Sequence, residues 1–285
     1  MSTTPLFGPG VYPDMPESVY HADPVEGGSL SSTGARKLLQ CPARFRHEQL
    51  HGQPHRAVFD RGHAAHRLVL GVGAELVPLP FDDWRTSAAR EARDNAHADG
   101  LVPLLAAEHE QVQAMAEAIR RHPIAGPLFT PGSGLPELSL LWQDRVGVAK
   151  RARLDWLRPP PPAGGRAIIA DYKTTPDASK DAIRRTIARY GYHQQGAWYC
   201  DAVQALNLDR DPAFLLVFQE VTAPYVVTVA QLAPTTQLIG AELNAKATAL
   251  YLECTRTGHW PGYSEDIELV SLPDWEIRKH EEENL

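Results

Sequence analysis

The chain has 285 residues, of which 43% are hydrophobic and 22% are charged, as is typical of a globular protein with one large core. No apolar run approaches the roughly 18–20 residues of a membrane span, and the first residues lack the basic and apolar regions of a secretion signal, so we expect a cytoplasmic protein. The formal charge of −7 excludes a generally basic surface, and nucleic-acid binding would therefore need local basic patches.

The chain shows no internal repeat or low-complexity linker, which predicts a single domain over residues 1–285. We expect a mainly helical part at 1–125, strands and helices at 126–265, and a tail at 266–285 whose acidic end, EEEN, is frayed. The three cysteines, Cys41, Cys200 and Cys254, lack CxxC spacing, which argues against a disulfide framework and against a zinc ribbon.

The predicted elements follow from the spacing of apolar residues. Helices are predicted at 33–39, 61–70, 85–98 and 106–121. Strands follow at 137–142, 146–158 and 167–174, and the loop PPPPAGGR separates the last two. The remaining elements are helices at 180–189, 192–206 and 235–255 and strands at 213–221 and 225–232. Helices that flank a mostly antiparallel sheet predict the α+β class.

The segment AIIADYKTT, residues 167–175, carries an apolar strand directly into Asp171 and Lys173. Side chains alternate along a strand, so these two charges lie on one face and Tyr172 lies on the other. If PPPPAGGR closes a hairpin, the pairing is centred near residue 163, which places Asp155 almost opposite Asp171. Opposite side chains are roughly 5 Å apart at Cβ.

Two acids and a lysine on one patch suit a divalent cation beside an attacking water. Mg²⁺ prefers oxygen ligands and uses one or two carboxylates together with substrate phosphate. The lysine would orient or deprotonate the water, or stabilise the charge that builds on phosphorus. This pattern predicts phosphodiester hydrolysis. The alternative is a solvated ion pair at a strand end, which contributes only about 0–1 kcal/mol.

Five segments in order resemble the PD-(D/E)XK nucleases, and among them the RecB-like branch and the exonuclease VIII (RecE-type) family. The resemblance covers most of the chain and implies a restriction-endonuclease-like fold, with a central mixed sheet flanked by helices. The segments are SLSSTGARKLLQCPARFRH (29–47), GHAAHRLVL (62–70), PELSLLW with RARLDW (136–142 and 151–156), DYKTT (171–175) and QGAWY (195–199).

The resemblance implies a role for each matching residue. His66, Asp155 and Asp171 would bind the metal, together with the backbone carbonyl of Tyr172, whose ring is expected in the core. Lys173, Glu137, Gln195 and Tyr199 would complete the catalytic set with the two aspartates. The alternatives remain open, because His66 follows His63 on one helix, Glu137 starts a strand that could face solvent, and Gln195 and Tyr199 could be ordinary packing residues.

The implied cofactor is one or two Mg²⁺ ions, for which Mn²⁺ would substitute. Some RecB-like nucleases hold an iron–sulfur cluster with one early and three late cysteines. Here Cys41 matches the early position, but only Cys254 lies late, so no cluster is predicted. DNA contacts are expected from local basic residues on both sides of the site, unless they form solvated faces paired with neighbouring acids. These residues are Lys150, Arg151, Arg153, Arg184, Arg185 and Arg189.

The resemblance implies a Mg²⁺-dependent exonuclease that digests linear double-stranded DNA from a 5′ end and leaves single strands for recombination by an annealing partner. Relatives form rings around DNA, which implies a homo-oligomer. One alternative is a RecB-like nuclease that acts on single strands or flaps. The other is a DNA-end-binding protein that has kept the fold and lost turnover.

Overall fold

The apolar strand that precedes Asp171 lies at the centre of a mixed sheet. The computed structural model of the protein describes residues 6–52 and 60–283. The strands of these residues are β1 Gly10–Tyr12, β2 Leu30–Ser31, β3 Leu76–Leu79, β4 Val102–Leu105, β5 Leu135–Gln143, β6 Ala149–Arg158, β7 Ile168–Thr175, β8 Ala213–Glu220 and β9 Val227–Gln231. The helices are α1 Glu17–His21, α2 Ser32–Gln40, α3 Pro42–His51, α4 Asp60–Leu70, α5 Ser87–Ala98, α6 Ala106–Arg121, α7 Ala125–Leu128, α8 Lys180–Tyr190, α9 Tyr192–Ala205, α10 Pro234–Thr257 and α11 Asp274–Glu283.

The central sheet has the strand order β1-β5-β6-β7-β8-β9, and β2 also pairs with β6. Neighbouring strands are antiparallel except β7–β8 and β2–β6, which are parallel. A parallel pair needs a crossover, and α8 and α9 provide it between β7 and β8. Strands β3 and β4 form a separate parallel pair. The α+β fold with a mixed, mostly antiparallel sheet and flanking helices is thus confirmed.

The register of the β6–β7 hairpin is the predicted one. Trp156 lies opposite Ala170 and Arg158 opposite Ile168, so the pairing is centred at 163. Continued by one pair, the register places Asp155 opposite Asp171, where the regular pairing of the two strands ends. Strand β2 pairs with β6 at Lys150 and Arg151, farther along the edge that β7 has left. The sheet is therefore split between β6 and β7 beside the two aspartates.

Two hydrophobic clusters cover the two faces of the sheet. One contains Leu38 of α2, Trp198 of α9 and Tyr251 of α10, packed against sheet residues such as Phe214. The other contains Ala65 of α4 and Met115 and Ile119 of α6, packed against Tyr172 and Val217. Helices α4 and α9 therefore approach the split from opposite faces.

Several parts of the chain differ from the predicted elements, and three of them bear on the sheet or on the chain end. Helix α3 follows α2 directly, because Pro42 can start a new helix at its first position, where no backbone N–H is needed. Strands β1 and β2 come from the part expected to be mainly helical and join the central sheet. In the acidic end EEEN, residues 281–283 belong to α11, in which no residue is buried, and Asn284 lies outside the described residues, so the fraying stays a prediction.

No helix among residues 6–52 and 60–283 is long and apolar enough to cross a membrane.

Candidate active site

Three acids lie side by side on three neighbouring strands. In the β5–β6 ladder, Pro136 pairs with Trp156 and Leu138 with Leu154, so Glu137 faces Asp155. Asp155 in turn faces Asp171 across the split. The length of the β5–β6 turn, QDRVGVA, fixes the register of the hairpin and therefore the pairing of Glu137 with Asp155. The structure thus brings Glu137, Asp155 and Asp171 together through two hairpins in succession.

Glu137 has an unusual backbone, with φ at 48°. A non-glycine residue in the left-handed region costs roughly 1–3 kcal/mol and is found mainly at functional sites. Arg153 holds the carboxylate, because its Nε donates to Glu137 Oε2 at 2.5 Å. The same guanidinium donates to Met15 O and Ser139 Oγ, each at 2.9 Å. Glu137 is therefore fixed in position by an arginine that is itself anchored.

His66 projects from α4 toward two of the acids. Its Nε2 lies 3.0 Å from Asp155 Oδ2, and its Nδ1 lies 3.3 Å from Glu137 Oε1. Burial lowers the pKa of His66, but Asp155, followed by Glu137, outweighs burial, and the net pKa is raised. The raised pKa favours the imidazolium, the form that carries an N–H on each of the two ring nitrogens that face the carboxylates. Without a metal, the histidine supplies the positive charge between these acids.

Asp155 is held as a carboxylate. Burial would raise its pKa, but His66, Lys173 and the backbone N–H of Tyr172 together lower the pKa to about 2. The Tyr172 N–H donates to Asp155 Oδ2 at 2.9 Å, across the point where β6 and β7 separate. The ring of Tyr172 lies in the core, as predicted, and its hydroxyl donates to Gln219 Oε1 at 2.6 Å. The metal-binding role of its carbonyl stays a prediction.

Asp171 is fully buried and is approached from the α9 face. Its Oδ2 forms an ion pair with Lys173 Nζ, and its Oδ1 accepts a hydrogen bond from Gln195 Nε2 at 2.9 Å. Burial and then repulsion by Asp155 raise the pKa of Asp171 to about 6. Burial lowers the pKa of Lys173, but Asp171 and Asp155 outweigh it and the net pKa is raised. Lys173 therefore carries a permanent charge.

Gln195 and Tyr199 lie one turn apart on α9, and Gln195 Nε2 also contacts Tyr199 Oη at 3.0 Å. The amide oxygen of Gln195 is buried and has no hydrogen-bond partner among the described residues. Asp171 Oδ2, by contrast, is paired with the ammonium of Lys173. One buried acceptor, the amide oxygen of Gln195, thus remains beside the aspartate.

The donor set fits a hard divalent cation. One ligand atom each from His66, Glu137 and Asp155 lies within 4.8 Å of the others. One imidazole and two carboxylates, with further positions for water, suit Mg²⁺ or Mn²⁺. Asp171 is not part of this group, because Lys173 and Gln195 hold its carboxylate on the other side of the split. The role of Asp171 as a metal ligand stays a prediction.

The basic residues expected to bind DNA fall into two groups. Arg151 contacts Asp23 at 2.6 Å and Ser29 O at 2.7 Å, and Arg153 holds Glu137. Lys150 is buried and contacts Asp144 at 3.1 Å. These three strand residues bind other parts of the protein. By contrast, the α8 arginines 184, 185 and 189 are exposed, and their assignment to DNA stays a prediction.

The family described as "PDDEXK-like domain of unknown function (DUF3799)" matches residues 31–273. This range is most of the chain and includes all the acids of the site. The chain belongs to this family. Membership of this PDDEXK-like family confirms the predicted PD-(D/E)XK superfamily, whereas the RecE type stays a prediction.

A solved structure is similar in fold to this PDDEXK-like chain. It comes from Eubacterium rectale and is described as a "Putative exonuclease". The similarity covers 93% of this chain and 98% of that one, with a TM-score of 0.60 and 12% sequence identity. No curated protein matches the chain.

Two features of this PDDEXK-like site were missed from the sequence. Arg153 positions Glu137, a role that the β5–β6 register could have indicated, because Arg153 pairs with Ser139 and lies two residues before Asp155. Arg36 of α2 reaches the α8–α9 junction and donates to Gly191 O at 3.4 Å. The two residues are separated by 155 positions, and no local pattern predicts their contact.

Proposed function

We propose that the protein is a metal-dependent deoxyribonuclease, and more specifically a RecE-type exonuclease that digests linear duplex DNA from the 5′ end. One observation carries the proposal. A histidine and two carboxylates converge within 4.8 Å, next to a permanently charged lysine that is paired with a third acid. Membership of a PDDEXK-like family supports the nuclease class, and the description of the Eubacterium rectale structure supports the exonuclease.

In this proposal His66, Glu137 and Asp155 bind Mg²⁺ or Mn²⁺, and Asp171 completes the set. A bound divalent cation would polarise a phosphate oxygen and lower the pKa of a coordinated water. Arg153 would keep Glu137 in place. Against the opposing effect of burial, His66 and Lys173 lower the pKa of Asp155 to about 2, which favours the carboxylate form near neutral pH.

Lys173 is proposed to act as a fixed positive charge. Its raised pKa favours the ammonium form, so it donates hydrogen bonds and does not accept a proton. An ammonium beside the reacting phosphate stabilises the negative charge that develops on its oxygens. Gln195 orients the Asp171 carboxylate, and its free amide oxygen is available to accept a hydrogen bond from the attacking water.

DNA would bind through its backbone, with phosphates on the exposed face of α8 that carries Arg184, Arg185 and Arg189. Base readout is not required of an exonuclease. A homo-oligomer, a partner that anneals the single-stranded product, and a cytoplasmic location complete the proposal. Light scattering of the purified protein tests the oligomer, and capture with the single-stranded product tests the annealing partner.

The test compares linear duplex, covalently closed circular duplex and single strands, each with Mg²⁺, with Mn²⁺ and with EDTA. We expect only linear duplex to be degraded efficiently, and only with a metal. Phosphorothioate linkages at the 5′ or the 3′ end alone give the polarity, since a blocked 5′ end should stop digestion. Lys173→Ala should reduce the activity by about 10²–10³-fold, and Lys246→Ala, on the exposed face of α10, is the matched control.

Each failure has a separate meaning. Degradation of closed circles would contradict the exonuclease assignment. Efficient cleavage of single strands or flaps in preference to duplex would favour the RecB-like alternative. Tight binding of DNA ends without cleavage in either metal would favour an inactive end-binding protein, and full activity of Lys173→Ala would refute the assignment of the site.

A further inference from the structure

Arg36 is a half-buried guanidinium without a carboxylate partner among the described residues. Its hydrogen bonds go to Thr33 Oγ1 at 3.1 Å, Ser32 Oγ at 3.3 Å and Gly191 O at 3.4 Å, all of which are neutral. Burial lowers the pKa of Arg36, and Tyr199, Tyr192 and then Asp171 oppose that effect. Arginine stays charged in proteins, so a cation partly removed from water needs a compensating anion.

The chain makes room for this side chain at Gly191. Gly191 joins α8 to α9 in the left-handed conformation, with φ at 67°. A Cβ at this position would lie 2.5 Å from Arg36 Cδ. The Arg36 side chain can therefore pass over Gly191 to the α8–α9 junction only because glycine has no Cβ.

Tyr190 and Tyr192 flank Gly191, and their rings lie between the candidate active site and solvent. The rings of Tyr190 and Tyr192 are stacked, with centroids 5.8 Å apart and planes at 23°. Lys173 Nζ lies 5.3 Å from the centroid of Tyr192. Tyr192 packs against Phe218 of the core, whereas Tyr190 is 52% exposed. An exposed aromatic face thus begins one ring away from the catalytic lysine.

Packing against the core accounts for the position of the Tyr192 ring, but it does not account for the exposed ring of Tyr190. Among the described residues, the ring of Tyr190 has two contacts. It stacks on Tyr192, and Arg189 Cζ lies 5.5 Å from its centroid. A guanidinium that no described carboxylate contacts and an exposed ring beside one active site match the two parts of a nucleotide, a phosphate and the flat face of a base. A base inside a duplex is already stacked on both faces, so only an unpaired base can use the ring.

We propose that Arg36 and the Tyr190–Tyr192 pair form a binding subsite for one unpaired nucleotide, whose phosphate contacts Arg36 and whose base stacks on Tyr190. The inference rests on the proposed nuclease function and adds a substrate class to it. The strand that enters the site has an unpaired terminal base, so a frayed or single-stranded end is preferred to a fully paired blunt end.

Binding is tested in EDTA, so that no strand is cut, with a fluorescent single-stranded oligonucleotide and with the same oligonucleotide carrying abasic sites. Tyr190→Leu should bind the normal strand about 5- to 100-fold more weakly, which is the range for loss of one stacked base, and should bind the abasic strand like the unchanged protein. Tyr263→Leu, at another exposed tyrosine, is the matched control. Equal weakening for both strands would overturn the stacking role.

Arg36 is tested by the salt dependence of the same binding. Loss of one phosphate contact should reduce the slope of log affinity against log salt by about 0.7, as expected for a single strand. We expect this of Arg36→Met. Arg36→Lys should retain the slope, and Arg256→Met, on α10, is the control. Melting curves verify folding, and since Tyr190 is exposed, the Tyr190→Leu result decides the inference even where Arg36→Met is unstable.

Cleavage separates this inference from the nuclease proposal. With Mg²⁺, the unchanged protein should degrade duplexes with a mismatched terminal pair faster than fully paired ones, and Tyr190→Leu should lose that preference. If the unchanged protein cleaves DNA but shows no preference for frayed ends, the subsite is wrong and the nuclease stands. If no DNA is cleaved while the stacking and salt effects persist, the subsite stands and the nuclease is wrong.

Discussion

The two sides of the split between β6 and β7 each place a carboxylate beside a positive charge, but the charges differ in kind. On the β6 side, Asp155 and Glu137 share His66, which can lose its proton. On the β7 side, Asp171 is paired with Lys173, which cannot do so near neutral pH. A divalent cation can therefore replace the charge on the first side, whereas the second side keeps its own. In the proposed function, the β6 side would therefore bind most of the metal and the β7 side would stabilise charge.

The strongest test removes the central acid of the β6 side. Asp155→Asn keeps the shape of the side chain and removes its charge. We expect Mn²⁺ binding, measured by calorimetry, to disappear, and cleavage to fall by more than about 10³-fold, because the variant loses more than a single stabilising contact. Asp274→Asn, on the exposed α11, is the control. Unchanged Mn²⁺ affinity would show that the metal binds elsewhere.

The second test addresses the β7 side. Lys173→Ala should reduce cleavage by about 10²–10³-fold, as expected for loss of one preorganised charge at a reacting group. Mn²⁺ affinity should stay equal or increase, because a nearby positive charge has been removed. A parallel loss of metal affinity and activity would abolish the distinction between the two sides.

A smaller effect is expected from the residue that positions Glu137. Arg153→Met keeps much of the side-chain length and removes the hydrogen bond to Glu137 Oε2. Loss of a group that orients a metal ligand typically weakens metal binding by about 10- to 100-fold, and Arg153→Lys should restore part of it. Arg158→Met, near the end of the same strand, provides the comparison. If both methionine variants bind Mn²⁺ equally well, Arg153 does not position the ligand.

Two quantities should change with pH in opposite directions. The stability of the metal-free protein should fall as pH rises, whereas the affinity for the metal should increase. In the metal-free protein, the raised pKa values of Asp171 and His66 mean that the folded state binds more protons, so the free energy of unfolding falls as pH rises through about 4–6 and on through the pKa of His66. Asp155 adds a separate loss of stability as pH falls from 3.8 to about 2.

Metal binding instead displaces a proton, so affinity should rise by up to about tenfold per pH unit below the raised pKa of His66. Calorimetry in two buffers with different ionisation enthalpies measures the proton released. His66→Gln should release fewer protons than the unchanged protein. Metal affinity independent of pH between 5.5 and 7.5, a window of about one unit on each side of the ordinary pKa of histidine, would contradict the imidazolium assignment.

The sequence was sufficient to predict the structure where neighbouring segments of the chain pair with each other. The loop length between β6 and β7 gave the register that places Asp155 opposite Asp171, because a hairpin fixes its own pairing. It was insufficient where distant segments meet. The entry of β2 into the sheet, the anchoring of Arg153 at Met15 and the contact of Arg36 with Gly191 join residues more than 100 positions apart. The sequence predicted Arg151 and Arg153 beside the site as DNA contacts, but it did not reveal their partners within the protein.

The short strand β2 determines how the site is prepared. Its pairing with Lys150 and Arg151 occupies the edge of β6 that β7 would otherwise cover. Strands β6 and β7 therefore cannot continue their pairing far beyond Asp155 and Asp171. Asp155 and Asp171 therefore lie where the pairing of β6 and β7 has ended. Two residues, Leu30 and Ser31, thus shape the sheet beside the candidate active site.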